Sequence, residues 1–349
     1  MNDKLNNSSS PMFSDSLMSA DDALSFLIES AVISDLTELT SLDDSIGRIL
    51  AEDIRSRINV PGFDNSAMDG YTIALDENNL SKENQTFNVV DRIAAGSIGN
   101  ELKKGNAARI FTGAPIPKGA NTVVMQEECE TSEDGSQITI KRAIELNENI
   151  RPTGNDILKN GVILNVGKKI EPEDISLAAS VGIGELKVYK KLKVGVFFTG
   201  DELVEPGQSL TPGKIYNSNR YALVALLKNA GCKVVNLGNI KDDFDSTCDA
   251  LEDLTKDCDL IMTTGGVSVG EEDHVKPAVE KLGSLNLWKI KMKPGKPLAF
   301  GYVRNIPFIG LPGNPVSSFV TYCIFALPFI KKMQGNSSFK NKADLKSTR

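Results

Sequence analysis

Residues Thr263–His274 read TTGGVSVGEEDH and directly follow the apolar run Leu260-Ile261-Met262. Apolar residues followed at once by paired glycines predict a buried strand that leads into a turn. Glycines, here Gly265, Gly266 and Gly270, let successive backbone N–H groups converge on an anion that side chains would obstruct. The acidic residues that follow repel an anion unless a cation lies between them. The stretch therefore predicts a phosphate-type ligand with a divalent metal, and a plain glycine-rich connection is the alternative.

Strands and helices alternate around this turn. Strands are predicted at Val194–Phe198, Cys232–Leu237 and Leu260–Thr264, with helices at Asn219–Ala230 and Asp245–Lys256 between them. This alternation predicts a parallel sheet with helices on both faces. Ligands of such sheets bind beyond the carboxyl ends of the strands.

Polar and glycine-rich residues follow nearly every predicted strand, and we expect these loops to gather on one rim. The candidates are Thr199, Gly200, Asp201, Glu202, Asp242, Asp243, Gly265, Gly266, Ser268, Gly270, Asp273, Lys293, Pro294, Gly295, Lys296, Pro297, Pro312, Gly313, Asn314 and Ser317. Lysines would bind phosphate as point charges, the Gly-Asn-Pro turn presents a helix N-terminus to anions, and the acids offer oxygen ligands to Mg²⁺. Solvated loop charges are the alternative for any single acid. His274, a lone histidine beside acids, is interpreted as a structural hydrogen-bond partner.

The first half of the chain has a different texture. A first helix is predicted to start at Ser19-Ala20-Asp21-Asp22 and to continue over Ala23–Val32. A second is predicted near Ser41–Ala51, and a third from Glu171 to Val181. Between them, Val60–Asn149 reads as an insert of irregular strands. Its predicted strands are Thr86–Val90, Ala108–Phe111, Thr122–Gln126 and Gln137–Lys141.

Composition excludes several classes of protein. The chain has 349 residues, 40% hydrophobic and 24% charged, which is typical of a globular protein. Its net charge of −7 argues against nucleic acid as a partner. Five cysteines without a CxxC pair, and a single histidine, argue against a zinc cluster and favour reduced thiols in the cytoplasm. The N-terminus lacks the pattern of a signal peptide, and the apolar run Phe319–Ile330 is too short to span a bilayer, so no membrane segment is expected.

Eight motifs together resemble the molybdopterin molybdenumtransferase family, that is, the MoeA-type enzymes and the E domain of gephyrin. They are PGFDNSAMDGY (61–71), RIFTGAPIPKGA (109–120), RPTGNDI (151–157), FFTGDEL (197–203), IYNSNRYAL (215–223), TTGGVSVGEEDH (263–274), KMKPGKPLAFG (291–301) and GLPGNPVSSF (310–319). The resemblance implies that molybdate is inserted into adenylylated molybdopterin with the help of Mg²⁺, and that AMP leaves as the molybdenum cofactor forms. A molybdopterin adenylyltransferase and a non-catalytic pterin-binding or scaffold relative are the alternatives.

The resemblance also implies an α/β multidomain architecture. We expect a tail over 1–18, a small mixed α/β linker and dimerisation domain over 19–57 and 150–190, and a β-rich insert over 58–149. A parallel-sheet, adenylyltransferase-like pterin-binding domain is expected over 191–335. Members of the family usually continue into a small β-barrel domain, and we expect 336–349 to be only a remnant of it.

Functional residues follow from the matched motifs. The resemblance implies that Asp64, Asp69, Thr112, Asp156, Glu202 and Asp273 serve catalysis, and that Glu202, Asp242, Asp243 and Asp273 bind the metal. Asn217, Ser218 and Asn219 join the rim residues above as substrate ligands. The implied partners are a second copy of the chain in a homodimer, a molybdopterin adenylyltransferase and apo-molybdoenzymes, with no nucleic acid and no membrane.

Overall fold

The computed structural model describes residues 17–76, 78, 82–266, 273–294, 297–337 and 339. Its helices are α1 Ala20–Ser30, α2 Pro172–Ser180, α3 Ser218–Asn229, α4 Phe244–Thr255, α5 Val275–Leu282, α6 Pro315–Thr321 and α7 Leu327–Met333. Its strands are β1 Thr37–Ser41, β2 Ile54–Arg55, β3 Asn65–Ser66, β4 Gly70–Ile73, β5 Gln85–Ile93, β6 Asn106–Ile110, β7 Thr122–Met125, β8 Cys129–Thr131, β9 Gln137–Ile140, β10 Ile150–Arg151, β11 Val162–Leu164, β12 Glu185–Tyr189, β13 Lys193–Phe198, β14 Leu203–Val204, β15 Ile215–Tyr216, β16 Lys233–Asn239, β17 Leu260–Thr264, β18 Gly283–Lys289, β19 Pro297–Val303 and β20 Ile306–Leu311.

The described residues fall into two compact units. The first combines those of Met1–Glu52, Val166–Pro172 and Glu185–Arg349, and the second combines those of Asp53–Asn165 and Glu173–Gly184. The finer division into a linker domain, an insert and two tails stays a prediction.

The first unit is built on a six-stranded sheet in the order β16-β13-β17-β20-β19-β18. The four strands β16, β13, β17 and β20 are parallel, as the alternating pattern predicts. Helices cover both faces. Leu27 of α1, Leu227 of α3 and Phe329 of α7 are buried on one face, and Leu254 of α4 and Val279 of α5 are buried on the other.

Strand β13 lies between β16 and β17, and this order produces a crevice at the carboxyl ends of the strands. The chain leaves β13 through α3 to reach β16, then returns through α4 to β17 on the other side of β13. The loop after β13 leads to α3 and the loop after β17 leads to α5, and these two helices pack on opposite faces of the sheet, so the connections diverge between β13 and β17. A crevice therefore opens beyond the carboxyl ends of these two strands, which is where sheets of this class bind ligands.

The predicted parallel sheet is confirmed for β16, β13, β17 and β20, but one edge of the sheet is antiparallel. Strand β19 runs antiparallel to both β18 and β20. Only Arg304 and Asn305 separate β19 from β20, and Arg304 has a φ of 56°. Such a short connection can join only antiparallel neighbours, because a parallel crossover needs a dozen residues or more.

The predicted helix near Ser41–Ala51 is also wrong. Ser41 instead ends β1, and Ile49 and Leu50 form isolated bridges with Lys169 and Val188. Gly47 has a φ of 72°, a left-handed conformation that interrupts an α-helix. The apolar residues have helical spacing in the sequence, but the segment forms turns and isolated bridges instead of a helix.

A second sheet organises the other unit, with the strand order β7-β4-β6-β5-β9-β8. The four strands predicted in the insert are confirmed as β5, β6, β7 and β9, with ends shifted by a few residues. Apolar side chains pack on both faces of this sheet, including Phe87 and Ile138 on one and Ile93 and Ile110 on the other.

The apolar run near the end of the sequence lies in the core of the first unit. The helical stretch Pro315–Met333 is long and apolar enough to cross a membrane by length and composition alone, yet 56% of its most apolar window is buried inside the protein. Phe325, Phe329 and Ile330 are fully buried against the sheet. Packing in the core accounts for the apolar character of this stretch.

Candidate functional site

A cleft of about 480 Å³, called here the sheet-edge cavity, opens at the carboxyl ends of β13, β17 and β20. The predicted site residues that line it are Thr199, Gly200, Glu202, Asn217, Ser218, Asn219, Asp242, Gly265, Gly266, Asp273, Gly313 and Asn314. They come from loops far apart in the sequence. The expectation that these strand-end loops gather on one rim is therefore confirmed for this set.

One wall of the sheet-edge cavity is held by a buried hydroxyl. Thr199 follows β13 and is 8% exposed. Its Oγ1 donates a hydrogen bond of 2.6 Å to Oδ1 of Asp242, which follows β16. This bond ties together the ends of two neighbouring strands and leaves the other oxygen of Asp242 available in a cavity-lining carboxylate.

Glu202 folds back over the turn that follows β13. Gly200 has a φ of 142°, and a Cβ atom at this position would lie 2.7 Å from Oε2 of Glu202. A side chain at position 200 would thus strain the backbone and displace the carboxylate. The glycine in the TGDE sequence keeps Glu202 at the cavity.

The turn after β17 is shaped by Gly265 and Gly266, whose φ angles are 84° and 64°. A Cβ atom on Gly266 would approach Cγ2 of Val275 to 2.5 Å. However, the N–H of Gly265 already donates to the carbonyl of Leu311 at 3.0 Å. Gly265 therefore allows the loop after β17 to lie close to Gly313 in the loop after β20. Its N–H is already bonded and does not bind an anion.

The start of α3 forms the opposite wall. Asn217 is 2% exposed, and its Oδ1 accepts a hydrogen bond from the N–H of Arg220 at 3.0 Å, which caps the helix. Asn219 extends from the first turn of α3, and its Nδ2 donates to the carbonyl of Gly313 at 2.7 Å. The amides of this NSN sequence therefore fix α3 against the loop after β20.

Three carboxylates line the cavity, namely Glu202, Asp242 and Asp273. Asp273 is held in place because its Oδ1 accepts hydrogen bonds from the N–H groups of Val275 at 3.1 Å and Lys276 at 3.4 Å. The part of the chain that the structure describes contains no group of three His, Cys, Asp or Glu side chains close enough to hold a metal ion together. A cation here would take one or two carboxylates and complete its shell with ligand oxygens and water, as Mg²⁺ commonly does.

Several predicted residues lie elsewhere. Asp243 does not line the cavity: its Oδ1 caps α4 by accepting from the N–H of Ser246 at 2.7 Å, and its Oδ2 pairs with Lys241 at 2.7 Å. Lys241 and the Ser246 N–H lower the pKa of this carboxyl. Ser317 is buried beneath the α6 start, where its N–H donates to Oδ1 of Asn314 at 3.0 Å.

Pro297 lies at the same end of the sheet, because it begins β19 beside the end of β20. Lys293 and Pro294 precede it in the sequence. Lys293, Pro294 and Pro297 do not line the sheet-edge cavity. Asp201 and the buried Pro312 do not line it either. Four predicted ligands, Ser268, Gly270, Gly295 and Lys296, lie outside the described residues.

The second unit holds the remaining predicted residues around β3. Strand β3 pairs with β10, and the N–H of Gly113 donates to the carbonyl of Ser66 at 2.8 Å. The motifs 61–71, 109–120 and 151–157 therefore meet in space. We call the polar side chains at this meeting point the Asp–Thr cluster, formed by Asp64, Asp69, Thr112, Thr153 and Asp156.

Two aspartates of the Asp–Thr cluster are held in the same way. Oδ1 of Asp69 accepts from the N–H of Thr112 at 2.8 Å and from its hydroxyl at 2.7 Å. Oδ1 of Asp64 accepts from the N–H and hydroxyl of Thr153 at 2.7 and 2.9 Å. The two hydrogen bonds from Thr112, first that of its backbone, lower the pKa of Asp69.

Asp156 lies on the loop after β10. Asn155 donates to its Oδ1 at 2.9 Å, and Arg151 pairs with its Oδ2 at 2.6 Å. The Asn155 amide and the Arg151 guanidinium lower the pKa of this carboxyl. Asp69 and Asp156 are consequently anions at neutral pH, suited to bind cations or accept hydrogen bonds but not to donate protons.

Sequence reasoning missed some residues of both sites. Thr153 was not predicted as a site residue. Nothing in the sequence Pro-Thr-Gly indicates that its hydroxyl bonds to Asp64, which lies 89 residues away. Ile215 and Tyr216 line the sheet-edge cavity from β15, which pairs with β14. Strands of two residues leave no periodicity to detect. His274, interpreted from the sequence as a structural hydrogen-bond partner, also lines the cavity, and that role stays a prediction.

Comparisons with known families agree with the motif pattern. Residues 18–182 match the family described as "MoeA N-terminal region (domain I and II)". Residues 195–332 match the family described as "Probable molybdopterin binding domain". The two matches together cover most of the chain.

Individual relatives extend the likeness over nearly the whole chain. A molybdopterin molybdenumtransferase of Haemophilus influenzae is 44% identical over 325 residues, which cover 93% of this chain and 80% of the relative. A molybdopterin molybdenumtransferase of Bacillus subtilis is 38% identical, with 84% and 70% covered. The crystal structure of a molybdopterin biosynthesis MoeA protein from Pyrococcus horikoshii OT3 superposes with a TM-score of 0.79 at 30% identity, covering 92% of this chain and 80% of that one.

Proposed function

Because this chain belongs to the molybdopterin molybdenumtransferase family, we propose that it transfers molybdenum from molybdate to adenylylated molybdopterin. AMP and the molybdenum cofactor are the products. The observation that carries this proposal is the gathering of predicted residues from separate strand-end loops around one sheet-edge cavity. Its volume of about 480 Å³ lies in the range of small-molecule sites, and its polar groups can fix the orientation of a ligand.

The lining of the sheet-edge cavity suits a substrate rich in hydrogen-bonding groups. Ser218, Asn314 and Thr264 place hydroxyl and amide groups on its walls, and Thr199 and Asn217 hold these walls in fixed positions. Preorganised polar groups bind a substrate without the cost of ordering them at the moment of binding. We assign the pterin and its diphosphate link to this cavity.

The three carboxylates of the cavity support a role for Mg²⁺. Glu202, Asp242 and Asp273 are the residues that would hold it, one or two at a time, together with oxygens of the substrate. When bound, Mg²⁺ neutralises charge on phosphate oxygens and so favours departure of AMP. Thr199 contributes indirectly, because its hydroxyl fixes the orientation of Asp242.

The Asp–Thr cluster forms the second part of the proposal. The lowered pKa of Asp69 and Asp156 keeps both as anions, so they accept hydrogen bonds or hold cations during the reaction. The family resemblance further suggests a homodimer in the cytoplasm that receives its substrate from a molybdopterin adenylyltransferase and passes its product to apo-molybdoenzymes.

A reconstitution assay tests the proposal. Purified protein is incubated with adenylylated molybdopterin, molybdate and Mg²⁺, and the release of AMP is measured with the activation of an apo-molybdoenzyme. Both signals are expected, and both should fall when Mg²⁺ is removed. Tight binding without turnover would instead indicate a scaffold relative, and consumption of ATP with unmodified molybdopterin would indicate an adenylyltransferase.

Neighbouring aspartates provide a matched control. Asp242→Asn changes a carboxylate that lines the sheet-edge cavity, whereas Asp243→Asn changes one that caps α4 outside it. Asparagine preserves a helix cap, so the second variant should keep both its fold and its turnover. Loss of about a hundredfold in AMP release is expected for Asp242→Asn only, as for other preorganised electrostatic groups. Equal activities of the two variants would remove Asp242 from the site.

A further inference from the structure

A second cavity lies at the other end of the six-stranded sheet. It has a volume of about 280 Å³ and is bordered by Lys190 and Lys191, which precede β13, and by Gly231, which precedes β16. It is thus at the amino ends of the strands whose carboxyl ends form the sheet-edge cavity. The six residues of β13 separate the two, which corresponds to roughly 20 Å along the strand.

Positive charge converges on this second cavity, called here the basic cavity. Its cationic lining residues are Arg48, Lys169, Lys190, Lys191 and Lys331. The four lysines among them belong to three Lys-Lys pairs, 168–169, 190–191 and 331–332, that are widely separated in the sequence. None of the described residues that line the basic cavity is acidic, although the whole chain carries a net charge of −7.

Ion pairs offset only part of this charge. Arg48, whose side chain is 12% exposed, pairs with Glu38. Lys169 pairs with Glu171 at 2.9 Å. Lys190 and Lys191 are exposed, and neither belongs to an ion pair among the described residues. Since like charges repel, such a concentration in an acidic protein is unfavourable unless an anion is bound.

Lys331 is a partly buried lysine of the basic cavity whose positive charge is also not fully compensated. Its Nζ donates to the carbonyl of Ala230 at 2.6 Å and to Oε1 of Gln334 at 3.0 Å. An ammonium group has three N–H donors, so one remains for a ligand. The Ala230 carbonyl at the end of α3 favours a cation here, yet burial lowers the pKa of Lys331 and the charge of Lys169 lowers it further. A bound anion would reverse that effect.

We propose that the basic cavity binds a tetrahedral oxyanion with two negative charges, the chemistry shared by phosphate, sulfate and molybdate. The volume of the basic cavity lies just below the range for drug-sized ligands, about 300 to 1,000 Å³, and suits a small anion with some of its hydration water. Charge-assisted hydrogen bonds from several lysines hold such an ion without a fixed bidentate geometry. This site is separate from the sheet-edge cavity and stands whether or not the proposed reaction is correct.

Calorimetric titration of the purified full chain with phosphate, sulfate and molybdate, at constant ionic strength, tests the proposal. Saturable binding is expected. The double variant Lys190→Gln/Lys191→Gln should weaken it by about tenfold or more, since each lost charge-assisted hydrogen bond corresponds to roughly that factor. Both side chains are exposed, so the fold should survive.

The chain offers a matched control in another Lys-Lys pair. Lys103 and Lys104 are exposed residues of the second unit, and Lys104 pairs with Asp76 at 3.3 Å. Lys103→Gln/Lys104→Gln should leave anion binding unchanged. If both double variants weaken binding equally, only the overall charge of the protein matters and the proposal is wrong.

A further variant separates the two cavities. Ser218→Asp places a negative charge in the sheet-edge cavity and should not disturb the oxyanion in the basic cavity. Loss of binding in Ser218→Asp, with normal binding in the Lys190/Lys191 double variant, would overturn the assignment. Tighter binding of molybdate than of sulfate would support the site as a store of the metal oxyanion, and equal binding of all three would support it as a general phosphate site.

Discussion

At the scale of single residues, the position of one carboxylate depends on one glycine. Gly200 combines a φ of 142° with a space that Glu202 already occupies. Any other residue there would be strained and would push the carboxylate away from the sheet-edge cavity. Position 200 therefore links backbone conformation directly to the chemistry of the site.

Gly200→Ala should lower AMP release by at least about tenfold, because displacement of one catalytic group by 1 Å can cost as much as a hundredfold. Gly207→Ala is the matched control. Gly207 also has a positive φ, 95°, but a Cβ atom there meets no other atom within 4 Å. Both variants should lose roughly 1–2 kcal/mol of stability to backbone strain, measured by urea unfolding. A drop in activity in both would mean that strain alone, not Glu202, is responsible.

A second residue-scale prediction concerns Thr112. Its N–H and hydroxyl lower the pKa of Asp69 below the usual 3.8, so Asp69 favours the folded state above this value and loses that contribution as the pH falls through its folded pKa. Thr112→Val removes only the hydroxyl. The pKa of Asp69, followed by NMR titration, should rise toward 3.8 but not reach it. An unchanged pKa would show that the Thr112 hydroxyl does not contribute to the lowering.

At the scale of secondary-structure elements, the caps of α3 and α4 differ in whether they line the sheet-edge cavity. Asn217 caps α3 at the sheet-edge cavity, whereas Asp243 caps α4 away from it. The two caps make the same kind of hydrogen bond to the third residue beyond them. They therefore separate the structural contribution of a cap from its contribution to a site.

Asn217→Ala and Asp243→Ala should each cost about 0.5–2 kcal/mol of stability, the usual range for a lost cap. Chemical denaturation measures this loss. Only Asn217→Ala should also raise the KM for adenylylated molybdopterin, because it loosens a cavity wall. If Asp243→Ala raised the KM equally, the two effects could not be separated and the role of Asn217 would reduce to capping.

Elements with strong local signals were predictable from the sequence. The central strands β13 and β17 and the helices α3 and α4 are confirmed within a few residues, since apolar runs and caps mark them clearly. The false helix near 41–51 and the antiparallel β19 depend on a turn at Gly47 and on a two-residue connection. Such features decide the path of the chain yet occupy too few residues to leave a periodic pattern.

The candidate site was predictable to a similar degree. Strand-end loops could be assigned to a common rim because parallel strands end at the same edge. Pairs such as Asp64 with Thr153 could not, because they depend on the meeting of distant loops. The lining of the cavity by Tyr216 could not be predicted either, since it depends on a strand of only two residues.

At the scale of the whole molecule, buried thiols make stability sensitive to alkaline pH. Burial raises the pKa of Cys232 and of Cys258 from the usual 9.0 to about 11. The unfolded chain releases these protons at lower pH than the folded chain does. The contribution of both thiols to stability is therefore complete below pH 9 and lost as the pH rises from about 9 to about 11.

The free energy of unfolding should decrease across this interval, and Cys232→Ala should show a shallower decrease than the unmodified protein. Urea unfolding at a series of pH values measures both slopes. Alkylation provides an independent check at pH 8: the exposed Cys323 should react in the folded protein, and Cys232 only after unfolding. Identical slopes for the two proteins would contradict the assignment of Cys232.

The place of β20 in the sheet has a consequence for how the protein is made. This strand lies between β17 and β19 although it is the last of the six to be synthesised. During synthesis, one edge of β17 therefore stays unpaired until β20 has been made. An unpaired strand edge can pair with another chain and so promote aggregation. A nascent chain that stops before Leu311 has the glycine turn after β17 but not the Gly313 and Asn314 loop opposite it. We therefore expect premature termination to leave the cavity incomplete and the product prone to aggregate.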